Sequence, residues 1–228
     1  MAINTGTYKH IIEQLAGKAT LVAVSKTKPV VDIQELYNLG QRDFGENYVQ
    51  ELVDKQGELP ADIRWHFIGH LQSNKVKYIA PFVFLIHGID SVKLLQEVNK
   101  QAKRNQRTID VLLQVHIAQE ETKFGLDASE LDALVEQLKN NPQEWDNIRI
   151  LGLMGMASFT DNKEKIRQEF HALKTLADKY VGQEIPHCSF EILSMGMSSD
   201  YDIALEEGST MVRVGSLLFG SRPPKADN

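Results

Sequence analysis

Cysteine is almost absent from this chain of 228 residues: Cys188 stands alone. No disulfide can therefore close within it, and a reducing, cytoplasmic setting is the expectation. Long apolar runs are missing too. The longest, residues 80–86, falls far short of the ~20 residues that a membrane-spanning helix needs. There is no excess of basic charge, since 25 Lys and Arg against 31 Asp and Glu leave a net charge of −6. With the acidic residues spread along the chain, the basic face of a general nucleic-acid binder is excluded. The first 17 residues lack a continuous apolar core and read as an amphipathic helix carrying Ile11, Ile12 and Leu15, so no export signal is visible. No linker, repeat or biased tract divides the sequence, and one domain over 1–228 is expected.

What is present is alternation. Short runs rich in Val, Ile, Leu and Phe fall at 21–25, 43–46, 65–68, 84–87, 111–116, 148–153, 191–194 and 211–214. Charged, helix-patterned stretches lie between them, for example 31–39, 91–105, 128–139 and 162–180, with Ser91 and Asp127 as caps. A short helix over 216–219 and a polar tail follow. Helical crossovers imply parallel strands, and apolar runs without alternation imply a sheet covered on both faces. Eight such units fit a (β/α)8 barrel, a TIM barrel in the α/β class, better than an open doubly wound sheet. In a barrel the chemistry collects at the carboxyl ends of the strands.

Two such ends carry reactive groups. The first strand runs into Ser25-Lys26-Thr27-Lys28-Pro29. A lysine ending an apolar strand is partly desolvated at the barrel mouth, which favours its neutral, nucleophilic amine and Schiff-base chemistry. Lys26 shares strand parity with Val22 and Val24, whereas Lys28 lies beside the Pro29 helix start, so Lys26 is the favoured amine; the alternative is a lysine that snorkels to water. The turns after the seventh and eighth strands contain Gly196 and Ser198, then Arg213, Gly215 and Ser216. Glycine admits close backbone approach and serine adds hydroxyl donors, so an anion such as a phosphate fits there; ordinary Ser-capped turns are the competing reading.

The segments Val24-Ser25-Lys26-Thr27, Phe44-Gly45-Glu46-Asn47, His66-Phe67-Ile68-Gly69-His70-Leu71-Gln72-Ser73-Asn74-Lys75, Gly152-Leu153-Met154-Gly155-Met156-Ala157, Ser194-Met195-Gly196-Met197-Ser198-Ser199-Asp200 and Arg213-Val214-Gly215-Ser216 together resemble the pyridoxal phosphate homeostasis proteins, the YggS or PROSC family. The resemblance implies a single barrel similar to the amino-terminal domain of alanine racemases, with pyridoxal 5′-phosphate held as an internal aldimine on Lys26. It places Ser198, Gly215 and Ser216 at the phosphate and Arg213 opposite the pyridine nitrogen, with Asn47 and Met156 lining the cofactor. The implied role is a non-catalytic carrier, with apo-enzymes that require the cofactor as recipients and a monomer as the expected state.

Alternatives are a racemase-type enzyme using the same cofactor, or an aldolase-like barrel in which Lys26 attacks a carbonyl substrate directly. Racemisation needs acid/base groups on both faces of a carbon, and the phosphate-contacting tyrosine that follows the racemase lysine by four positions is replaced here by Val30. Arginine at a pyridine nitrogen donates a hydrogen bond and discourages ring protonation, which weakens the electron sink. Of the remaining candidates, His66 and His70 read as strand-end hydrogen-bonding residues, not a metal pair, and Cys188 reads as an inert thiol. Glu46 is divided between acid/base work and a favourable place before a helix. Lys75 and Lys77 read as a solvated face.

Overall fold

The computed structural model describes residues 3–118 and 124–220; the expected polar tail beyond 220 lies outside the described residues. Eight strands, β1 (Thr20–Val24), β2 (Asp43–Glu46), β3 (Arg64–Phe67), β4 (Leu85–Ile89), β5 (Ile109–Gln114), β6 (Ile148–Met154), β7 (Cys188–Met197) and β8 (Met211–Val214), follow one another in order around a closed barrel. Every neighbouring pair is parallel, and β1 closes on β8 through Val22 opposite Arg213. The helices are α1 (Thr5–Leu15), α2 (Val30–Asn38), α3 (Val49–Glu58), α4 (Val76–Ile79), α5 (Val92–Arg104), α6 (Ala128–Asn140), α7 (Lys163–Asp178), α8 (Tyr201–Glu206) and α9 (Ser216–Phe219). The expected (β/α)8 barrel is the observed fold.

Local chemistry sets these boundaries. Ser91 accepts a hydrogen bond from the Leu94 N–H at the start of α5, and Asp127 and Glu130 form a reciprocal capping box at α6. β4 is buried at every position, as a strand covered on both faces must be. The core has two layers. One lies between the barrel and its helices and includes Ile11, Leu36, Phe44, Leu52, Phe67 and Phe170. The other is built from strand residues alone, Val22, Leu85, Leu112, Met154 and Met211, and fills the barrel interior. Ile12 departs from the expected apolar stripe of α1: it is 42% exposed, because the 3.6-residue repeat turns it off the face that Ile11 and Leu15 bury.

Candidate functional site

A cavity of about 470 Å³ opens where the strands end. Lys26, Asn47, Met156, Ser198, Arg213, Gly215 and Ser216 all line it, so the structure brings together the seven residues that the family resemblance and strand-end reading placed around a cofactor. They come from the ends of β1, β2, β6, β7 and β8. The strand parity argument holds, since Val24 and Lys26 face the cavity while Ser25 between them turns outward to Glu46. Lys28 also lines the cavity, but its Nζ donates to the carbonyls of Phe219 (2.8 Å) and Gly220 (3.1 Å) and closes the end of α9. Ile68, Met197 and Ser199 complete much of the wall without having been singled out. Met197 and Ser199 flank Ser198 in the same turn, which was the available signal.

The backbone around Lys26 is held from outside the barrel. Ser25 Oγ donates to the buried Glu46 Oε1 (2.6 Å). Lys55, in the last turn of α3 and itself buried, donates to that same oxygen (2.7 Å), to the Ser25 carbonyl (2.8 Å) and to Glu51 Oε1 (2.6 Å). Glu51 in turn accepts from the Thr27 N–H. Thr27 has φ +63°, a left-handed conformation that residues with a Cβ adopt only when surroundings enforce it. Burial pushes the Glu46 carboxyl above its ordinary value, and the Lys55 charge and the hydrogen bonds from Lys55 and Ser25 only partly draw it back. Glu46 is therefore neither beside the cavity as an acid/base group nor a simple helix-end charge. It anchors the strand that presents Lys26.

Across the cavity the turns after β7 and β8 meet. The Gly215 N–H donates to Ser198 Oγ (3.2 Å), joining the two turns. A Cβ on Gly215 would stand 3.1 Å from the Val24 carbonyl, so glycine is what lets this turn lie against β1. Gly196 has φ +95°, and a Cβ there would stand 2.6 Å from that of Ala204, which seats α8 close behind the turn. Arg213 is buried, with Nη1 donating to Ser194 Oγ (2.6 Å) and Nη2 to the Gly155 carbonyl (3.1 Å). Burial draws its guanidinium down to about 10, against the opposing Asp200 charge, and it stays protonated at neutral pH.

Among the described lining residues there are three cations and no carboxylate, and Asn47 Oδ1 is buried there with no hydrogen-bond partner among the described residues. Hydroxyls, a backbone turn and cations facing one space suit an anion, and a strand-end amine suits a carbonyl. The residues present thus fit a phosphorylated aldehyde. The weaker candidates resolve differently. His66 is fully buried and bonds side chains inside the barrel, whereas His70 meets Asp90 and stacks on Phe124. Among the described residues no cluster of three His, Cys, Asp or Glu could hold a metal. Burial pushes the Cys188 thiol up to about 12, far from a reactive thiolate. Lys75 and Lys77 are exposed, and both ammonium groups lie over the Tyr78 ring. No described helix is long and apolar enough to cross a membrane.

Comparison with known proteins agrees with this geometry. The model of the alanine racemase N-terminal domain family matches residues 3–223. The pyridoxal phosphate homeostasis protein of Aquifex aeolicus is 43% identical over 208 residues, covering 90% of this chain and 87% of its own. The human protein of that name is 42% identical over 213 residues, covering 89% and 76%. PipY of Synechococcus elongatus, solved with PLP bound, superposes with a TM-score of 0.85 at 36% identity, over 94% of this chain and 99% of its own. The alanine racemase of Bartonella henselae, at 18% identity and a TM-score of 0.71, matches 95% of this chain with 59% of its own and shares the fold. A barrel closed around a strand-end lysine, with an anion-suited turn opposite, thus has its relatives in hand: the chain belongs to the pyridoxal phosphate homeostasis protein family, built on the alanine racemase N-terminal domain.

Proposed function

We propose that the chain binds pyridoxal 5′-phosphate in the cavity at the strand ends, holds it covalently through Lys26, and serves its homeostasis as a carrier that hands it to apo-enzymes. The observation that carries this reading is the convergence of Lys26, Arg213 and the Ser198, Gly215 and Ser216 turns on one space whose described lining holds no carboxylate. When bound, the cofactor supplies an aldehyde that condenses reversibly with a primary amine and releases water. Lys26 is the amine placed there by the end of β1, whereas Lys28 closes the end of α9 on the carbonyls of Phe219 and Gly220. Ser198 and Ser216 offer hydroxyl donors to the phosphate, and Gly215 lets the chain come close to it. Arg213 donates at the pyridine nitrogen and cannot accept, so it keeps that nitrogen unprotonated. Asn47 and Met156 form the flanking walls.

A carrier is favoured over an amino-acid enzyme for two reasons. A permanent donor at the ring nitrogen weakens the electron sink on which carbanion chemistry depends, and position 30, where the racemase lysine motif supplies a phosphate-contacting tyrosine, is a valine packed against the core. Titrating the purified protein with pyridoxal 5′-phosphate should give a visible absorption band that Lys26→Ala abolishes and Arg213→Glu shifts or weakens. No spectral change on titration would refute binding. Assays for racemisation and transamination should show no robust turnover, and such turnover would refute the carrier role.

A further inference from the structure

Behind Arg213 a line of polar side chains crosses the barrel interior and ends at its opposite rim. Ser194 Oγ lies 2.6 Å from Arg213 Nη1 and 3.0 Å from His87 Nδ1. His87 Nε2 lies 2.9 Å from His66 Nδ1, and His66 Nε2 lies 2.9 Å from Asp43 Oδ1. All four residues beyond Arg213 are buried, His66, His87 and Ser194 completely. The exposed side of Asp43 is closed by Arg64, whose Nε donates at 2.8 Å.

The ends of this line fix the protons in the middle. A guanidinium only donates and an ionised carboxylate only accepts. Since Arg213 donates to Ser194 Oγ, the Ser194 hydroxyl must send its own hydrogen to His87 Nδ1, the other atom in reach. The His87 proton then sits on Nε2 and goes to His66 Nδ1, which places the His66 proton on Nε2, directed at Asp43. Each neutral ring uses its one donor and its one acceptor. In the reverse direction Ser194 Oγ would accept from both Arg213 and His87 and leave its own hydrogen without an acceptor, and an unprotonated His66 Nε2 would face the Asp43 carboxylate. A second proton on either ring would strand the Ser194 hydrogen, directly at His87 or by forcing the His87 proton onto Nδ1.

We propose that Asp43, His66, His87 and Ser194 are positioning residues for Arg213, joined in a hydrogen-bonded chain of single direction that holds the guanidinium in one orientation at the cavity wall. Burial draws both imidazoles below the ordinary histidine value, further at His87, which keeps them in the neutral form the chain requires. At Asp43 burial acts to raise the carboxyl, but the hydrogen bonds from Arg64 and His66 outweigh it and hold the group below its usual value, ionised as the accepting end. The chain gives Arg213, the one buried cation among the described lining residues, a distant counter-charge where none of those residues is a carboxylate.

Nitrogen-15 NMR of the histidine side chains in cofactor-free protein tests the proton direction. Between about pH 6 and 8, where free histidine titrates, His66 and His87 should both be neutral with the proton on Nε2. An Nδ1–H form or a cation at either ring overturns the chain. The effect on Arg213 is read with Ser194→Ala, a deletion of one oxygen whose fold is checked by thermal melting. Resting on the proposed cofactor, this variant should shift the absorption maximum of bound pyridoxal 5′-phosphate and weaken binding about tenfold. A spectrum and affinity equal to those of the unsubstituted protein overturn the positioning role. If the unsubstituted protein binds no cofactor, the proposed function fails, and the tautomer measurement alone then decides for or against the chain.

Discussion

Around Lys26 the polar groups lie outside the barrel wall and hold backbone, whereas the line that reaches Arg213 runs through the interior, from β2 by way of β3 and β4 to β7, and holds a side chain. Glu46, Lys55 and Glu51 close on the Ser25 carbonyl and the Thr27 N–H, on either side of Lys26. Asp43, His66, His87 and Ser194 close on the Arg213 guanidinium itself. The difference suits the role proposed for each cation. On the proposed function, an amine that forms and releases a covalent bond must be able to change its protonation and hydrogen bonding, and the outer network acts on the backbone to either side of it. A guanidinium that works as a permanent donor loses nothing by having its own N–H groups committed, and gains orientation.

Substitutions break this contrast to different degrees. The largest effect is expected from Glu46→Ala, which leaves the buried Lys55 without its innermost partner and should cost about 3–5 kcal/mol of stability by urea unfolding. Glu46→Gln keeps the shape and should cost less. Lys26→Ala should leave stability nearly unchanged yet lower affinity for pyridoxal 5′-phosphate about 100-fold, the equivalent of roughly 2.7 kcal/mol, measured by equilibrium dialysis. A stability loss at Lys26 as large as that at Glu46 would erase the distinction between presenting backbone and presented amine.

The interior chain makes a pH prediction of known sign. His87 has a folded pKa well below 6.5, so below about pH 6.5 the unfolded chain takes up a proton that the folded one refuses. Stability therefore falls with pH in that window, by up to about 1.4 kcal/mol per pH unit from this residue. Glu46 and Asp200, whose carboxyls are raised by burial, act in the opposite sense nearer their own values, so the test is a difference. His87→Met should show a shallower loss of stability between about pH 6.5 and 5 than the unsubstituted protein; parallel curves would place the histidine proton elsewhere. The smallest effect belongs to Lys28→Met. It removes the bonds to Phe219 and Gly220, should cost about 1 kcal/mol, and should leave covalent attachment at Lys26 intact.

The strands were legible because their signal is local. All eight appear in the expected order, two of them, β2 and β8, with the expected ends. β7 extends beyond the expected 191–194 in both directions, since its register shifts against β6 and β8 break the apolar pattern that marks a buried strand. α3 and α8 carry no side-chain cap hydrogen bond, so the signal that revealed α5 and α6 is missing there. The cavity residues were legible because strand-end position and turn chemistry are short-range features. Neither polar network was. Ser25 and Glu46 are 21 residues apart, and His87 and Ser194 are 107 apart, so only closure of the barrel makes them partners.

Reduction of the protein–cofactor mixture with borohydride, followed by peptide mapping by mass spectrometry, bears most directly on the cavity. A single stable adduct on Lys26, with Lys28 and Lys55 unmodified, is the expected result. An adduct on Lys28 or another lysine, or none on a protein that still binds the cofactor, would contradict the assignment of Lys26 as the covalent anchor.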